Sequence, residues 1–306
     1  MQHITEILGT ILPVVLMLLI GVLARRTSLL SREGIGALKS VVVNITLPAV
    51  MLNAFATMTY SAKNIIITLM MFLVCLAAWF LGRFFSKGSR FIPFLTTGFE
   101  AGMLGYSLFM LLYGSERISE FAAIDLGQVL FVFTLYKIFL GLDGNEKPKA
   151  SQLISEMIHS PTIIAILIGV LLGATGLYRL MEPGGLSGLL DACTDFVSAP
   201  TGAVILLTIG YDLSFEHIPW KLVLKTLAAR VLIMLALRLA AGGIVSAIGM
   251  GAELNGALNI MFILPPPYVL PVFADDESQR NFVSSALSMM TVVTIFCFII
   301  LTAVLR

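Results

Sequence analysis

The stretch LNGALNIMFILPPPYVLPVF, residues 254–273, contains four prolines and no charged residue. As one helix its 20 residues would match a hydrocarbon core of about 30 Å. It cannot be one helix. Proline lacks a backbone N–H and its ring collides with the preceding turn. Three stand in a row at Pro265, Pro266 and Pro267, and Pro271 follows. At 1.5 Å per residue, Pro265 lies about 16 Å beyond Leu254, which is the middle of a bilayer. In lipid, unpaired backbone groups survive only where protein buries them or where they line a cavity. Residues 254–273 therefore predict a broken helix inside a polytopic, all-α membrane protein.

The composition agrees. Of 306 residues, 58% are hydrophobic and 12% charged, where a soluble domain carries about 25% charged residues. A net charge of +1, with no basic domain, leaves nothing for nucleic acid to bind. Apolar runs delimit ten spans: Ile7–Ala24, Ala37–Met58, Ile65–Phe85, Phe91–Tyr113, Phe121–Leu140, Ile154–Leu177, Leu189–Tyr211, Trp220–Ile248, Leu254–Phe273 and Asn281–Leu305. A polar loop, Asp143–Gln152, separates the fifth from the sixth. Met1–Glu6 has no positive n-region, so the first run reads as a retained span. With the N-terminus outside, 14 of the 19 basic residues face the cytoplasm and 5 the exterior. The positive-inside rule then sets both termini outside, in a plasma or inner membrane.

The halves repeat. Leu19-Ile20-Gly21-Val22-Leu23 recurs as Leu167-Ile168-Gly169-Val170-Leu171, with Ile20 and Ile168 each seven residues behind a proline, Pro13 or Pro161. Pro48 in span two corresponds to Pro200 in span seven. Five spans per half make the second half inverted, an architecture common among secondary transporters. The domain limits are 1–141 for the first repeat, 142–153 for a cytoplasmic linker and 154–306 for the second repeat.

By this repeat the partner of span nine is span four, which reads GFEAGMLGYS over residues 98–107. Gly98, Gly102 and Gly105 permit unwinding or close backbone approach; helix packing of the GxxxG kind is the competing reading. Glu100 stands about 14 Å beyond Phe91, and a carboxylate at that depth marks a pathway or a partner. Arg230, ten residues past Trp220, is equally deep. It could bind an anion or neutralise Glu100. Asp125 lies in span five beside Gly127 and Gln128, suited to charge compensation. Arg238 is placed to snorkel toward the outer interface. Asp191 and Asp195 read as charges at a helix N-terminus. Cys75, Cys193 and Cys297 read as small packing residues. His3, His159 and His217 sit at span ends, and neither a metal-ligand nor a nucleophile motif occurs. No P-loop is present, so an ATP-driven pump is excluded; an ion or solute gradient would drive transport, or it would be passive, and no catalytic residue, metal or cofactor is expected.

The chain resembles the auxin efflux carrier family, particularly its compact bacterial malonate and organic-acid permease members. The resemblance rests on Asn44-Ile45-Thr46-Leu47-Pro48-Ala49, Gly98-Phe99, Gly102-Met103-Leu104-Gly105 and Asp125-Leu126-Gly127 with Phe131. Ala199-Pro200 with Leu206–Leu213 and Leu264-Pro265 complete it. It implies two inverted five-helix repeats whose broken spans four and nine cross. It further implies a scaffold of spans one, two, six and seven that dimerises, and a transport unit of spans three to five and eight to ten that moves as an elevator. The implied substrate is a small organic anion, a malonate- or auxin-like carboxylate. Glu100 departs from the family, which commonly has Asn there, and Ser107 stands near a common proline. An ionised Glu100 would repel an anion. Either it is protonated during binding, or Arg230 offsets it, or the substrate is not a simple carboxylate.

The expected site comprises Glu100, Gly102, Gly105, Tyr106, Ser107, Asn259, Pro265, Pro266 and Tyr268, with Asn44 and Thr46 from the scaffold. Glu100, Asp125 and Arg230 handle coupling and charge. The expected partners are the organic anion, protons, membrane lipid and a second copy of the chain. Two alternatives stay open: a cation/proton antiporter on a similar crossed-helix fold, and a membrane sensor without net flux.

Overall fold

The computed structural model describes residues 2–86, 88–142, 159–213 and 218–305. Within them every regular element is helical. The longer helices are α1 (Gln2–Arg26), α2 (Arg32–Ala56), α3 (Ala62–Ser86), α4 (Ala101–Tyr113), α5 (Ser115–Gly141), α6 (Pro161–Ala174), α7 (Leu186–Asp212), α8 (Trp220–Ala247), α9 (Gly251–Ile263) and α10 (Glu277–Leu305). Seven, α1 to α3, α5, α7, α8 and α10, are long and apolar enough to cross a bilayer. Helix α6 makes an eighth when counted with Leu177–Gly184, which continues it after a 67° bend. The chain is a polytopic helical membrane protein. Helices α4 and α9 are too short to cross alone, because each is cut by the interruption that the glycine and proline clusters predict.

Element ends follow local chemistry. The Ser31 hydroxyl accepts from Gly34 N at 3.0 Å and starts α2 at Arg32, five residues before the expected Ala37. Asp276 accepts from Gln279 N at 2.8 Å and starts α10 at Glu277 rather than Asn281. Ser160 caps α6, with Pro161 in its first turn. The expected start of span six at Ile154, the loop Asp143–Gln152 and nearly all of the linker 142–153 lie outside the described residues, as does His217.

The repeated pentapeptide has a packing reason. Helix α1 lies along α7, and α2 along α6. At Gly21 a Cβ would fall 2.2 Å from the Leu207 carbonyl oxygen of α7. At Gly169 it would fall 2.9 Å from the Leu52 carbonyl oxygen of α2. Only glycine lets either pair of backbones approach this closely. The two matched glycines thus do the same work in the two halves. Gly127 does likewise for α5 against Thr68 of α3.

Three sequence expectations are corrected. Of the cysteines, Cys75 is buried and Cys297 partly so, but Cys193 is exposed on the surface of α7. Asp191 is no N-terminal charge, since α7 begins at Leu186. Its carboxylate accepts from Tyr178 Oη at 2.7 Å and from Asn53 Nδ2 at 3.2 Å, tying α7 to α2. Arg238 is not merely reaching for water, since its guanidinium donates to Asn255 and Asn259.

Candidate functional site

Two helix interruptions meet inside the bundle. The first spans residues 96–100, between the short helix Ile92–Leu95 and α4. It turns at Gly98, whose φ of +67° is strained for any residue with a side chain. The second follows α9, over Leu264-Pro265-Pro266-Pro267-Tyr268-Val269, and ends in a 3₁₀ turn at Leu270–Phe273. A Cβ on Gly98 would lie 3.1 Å from Pro267 Cδ, so the breaks touch where glycine and proline stand.

Glu100 joins them twice. Its backbone N–H donates to the Pro265 carbonyl at 2.8 Å. Its carboxylate Oε2 accepts from the Tyr268 N–H at 2.7 Å, while Oε1 accepts from Met103 N at 3.3 Å and caps α4. The proline run explains the second bond. Three successive residues have no N–H, so Tyr268 is the first donor the chain offers beyond Leu264.

Arg230 on α8 collects the acceptors. Nη1 donates to the Leu95 carbonyl at 3.1 Å, and Nη2 to Gly98 at 2.9 Å and Leu264 at 2.8 Å. Carbonyls from both breaks thus share one guanidinium, which also lies 5.7 Å from the Phe99 ring centroid. All three bonds go to backbone oxygens, and among the described residues no ion pair joins Arg230 to Glu100. Arg230 therefore holds the crossing together by neutral acceptors rather than by pairing with the deep carboxylate.

Around this centre lies a buried polar shell. Tyr106 Oη donates to Asp125 Oδ2 at 3.1 Å, and Gln128 Nε2 donates to the Phe99 carbonyl at 3.1 Å. Asp125 Oδ1 and Gln128 Oε1 are buried without a partner. Tyr268 Oη and Thr291 Oγ1 share a bond of 2.8 Å, and Thr294 Oγ1 donates to the Ile263 carbonyl at the end of α9. A Cβ on Gly105 would fall 2.7 Å from the side-chain ends of Leu264 and Phe121, so a larger residue there would have to displace them.

Glu100, Gly105, Pro265, Pro266 and Tyr268 thus lie in or against the two breaks, with Tyr106 and Asp125 beside them. A Cβ on Gly102 would lie 3.4 Å from the Leu47 side chain of α2. Ser107 is buried with an unbonded hydroxyl, as is Thr46. Two expected residues are elsewhere. Asn44 is exposed, and its amide donates back to Ser40 O at 2.9 Å. Asn259 accepts from Arg238 at 2.7 Å. The sequence reading missed Gln128, Thr294 and Thr201. Thr201 carried a signal, since it follows Pro200 where α7 is interrupted.

A cleft of about 530 Å³ opens between α1, α4 and α7, with Ser107 and Gly202 among its lining residues. Its size falls in the range of small-molecule sites.

No family model matches the sequence. The chain is 21% identical over 299 residues to an uncharacterized transporter of Methanothermobacter thermautotrophicus, an alignment covering 94% of each protein. The alignment runs nearly end to end and supports a transporter family.

Proposed function

We propose that this protein is a secondary active transporter for a small organic anion, working by an elevator-type movement coupled to protons at Glu100. The observation that carries the reading is the crossing itself. Two broken helices meet at mid-span, and a carboxylate with no cationic partner among the described residues bonds one break to the other. A structural helix kink needs neither feature, whereas transport sites are built from such half-helices. Protonation of Glu100 would turn the carboxylate into a neutral, weaker acceptor for the Tyr268 N–H and loosen the link, giving a proton leverage over the crossing.

The reading includes the finer architecture that the family resemblance implies. Chain segments 1–141 and 154–306 are inverted repeats making ten crossings, with α4 and α9 counted with their breaks. The packing of α1 on α7 and of α2 on α6 supports this, because inversion exchanges those two pairs. These four helices form a scaffold that dimerises; α3–α5 and α8–α10 move, and both termini lie outside. A cation/proton antiporter is the second reading, favoured by the unpartnered Asp125 Oδ1 near the same crossing.

Currents from proteoliposomes on a solid-supported membrane test both. Mono- and dicarboxylate pulses should evoke currents in the wild type, and Glu100→Gln should lose their pH dependence. Currents from Na⁺ or pH jumps alone, with silence to every carboxylate, would overturn the anion reading in favour of the antiporter.

A further inference from the structure

Asp195 is a charged side chain that neither the fold nor the crossing uses. The sequence places it at the start of a span, yet α7 begins at Leu186. Nine residues at 1.5 Å each put Asp195 about 14 Å along a helix long enough to cross the bilayer. Asp191, one turn earlier, accepts from Tyr178 and Asn53. Asp195 does no such work: among the described residues its carboxylate has neither a hydrogen bond nor an ion pair. An ionisable side chain at membrane depth faces a partner or a water-filled cavity. Asp195 faces a cavity, since it is exposed and lines the cleft of about 530 Å³ between α1, α4 and α7.

That cleft has one sign of charge. Asp195 is the single charged residue of its lining; the rest is hydroxyl-bearing or apolar, with Met17, Met110 and Leu206 among its large walls. Arg117 stands two residues beyond the lining residue Ser115 but is engaged elsewhere. Its guanidinium makes two bonds to Glu120, at 2.8 and 2.9 Å, and lies over the Tyr113 ring. An anion in the cleft would meet a like charge and no compensating cation. A hard metal ion needs about six oxygen ligands close together, and these walls are mostly carbon. A molecule with a positive head and an apolar body suits both parts of the lining. Methionine is unbranched and polarizable, so it adapts to such a body, and the volume is that of a small-molecule site.

We infer that this cleft binds an amphipathic organic monocation of the alkylammonium kind, with its charged head at Asp195 and its chain along Met17, Met110 and Leu206. The inference goes beyond the proposed function and does not rest on it, because the ligand's charge is opposite to that of the proposed cargo. Selectivity comes from Asp195, which attracts the cation and repels its anionic counterpart.

The test is thermal unfolding of the purified full chain in detergent at pH 7, with three six-carbon probes that differ in charge: hexylammonium, hexanol and hexanoate. Hexylammonium should raise the melting temperature, with a half-effect concentration at least tenfold below those of the other two. Butylammonium, which covers less of the apolar wall, should need at least threefold more than hexylammonium. Asp195→Asn should raise the hexylammonium half-effect concentration at least fivefold, and Asp195→Glu should bring it back to within threefold of wild type. Glu253→Gln removes an exposed acid on α9 outside the cleft and should leave it within twofold, which separates the site from general attraction to acidic surface. Ala203→Phe keeps Asp195 but fills the cleft that Ala203 lines. It should weaken binding at least fivefold, and it carries the test should Asp195→Asn fail to fold. Three probes of equal potency would overturn the assignment, as would half-effect concentrations within twofold of wild type in both Asp195→Asn and Ala203→Phe, or a wild type that hexylammonium does not stabilise.

Discussion

The two breaks at the centre of this protein are made differently. The one before α4 is a glycine break: it turns on the positive φ of Gly98 and keeps every N–H. The one after α9 is a proline break: it is rigid and lacks three consecutive donors. The difference is complementary. Proline leaves Leu264 and Pro265 with carbonyls that no following turn can use, and the other break answers with the Glu100 N–H and the Arg230 guanidinium it shares. The glycine break brings a carboxylate that needs donors, and the proline break returns the Tyr268 N–H. Two identical breaks could not satisfy each other so well, because two proline breaks would lack donors and two glycine breaks would lack stiffness.

This contrast can be tested at five places. Arg230→Met should have the largest effect, because it strips a charged donor from three buried carbonyls at about 1–3 kcal/mol each. A fall in melting temperature of about 10 °C or more is expected in detergent, readable by fluorescence-detected size exclusion. Gly98→Ala comes next. The left-handed backbone costs about 1–2 kcal/mol with a side chain, and the new methyl group presses on Pro267. Pro266→Ala, on the other side, should stay within about 1 kcal/mol; an equal loss in both would erase the distinction between the breaks. Glu100→Gln keeps the shape of the link but sets an amide where two N–H donors converge. It should cost about 1–2 kcal/mol, and with the proposed coupling it should flatten the pH dependence of transport currents. Asn44→Ala should do least. Its amide bonds only to Ser40, so stability within about 0.5 kcal/mol of wild type and transport within twofold are expected. A larger loss would place α2 nearer the substrate than its geometry does.

Much of this arrangement is legible in the residues. The proline triplet and the spacing of Gly98, Gly102 and Gly105 locate both interruptions, because each residue type acts on the backbone of its own turn. Gly21 and Gly169 are visible as a repeat before their role in helix approach is known. The depth of Glu100 follows from counting residues along a helix. What stays hidden is direction. Asn44 and Thr46 are two residues apart, yet one is exposed and the other buried, because residues two apart point to opposite sides of a helix and only the packing decides which side faces the core. Asn259 lies deep in span nine, but Arg238 from α8 claims its oxygen.

The sequence alone determines that this chain is a helical membrane protein with two mid-span breaks, since hydropathy, helix rise and proline sterics act locally. Only the tertiary structure decides which groups meet there. That Arg230 holds three carbonyls instead of Glu100, and that Thr46, Ser107 and Thr201 are left without partners, depends on residues far apart in the chain. Their hydrogen bonds are chosen by how the helices pack.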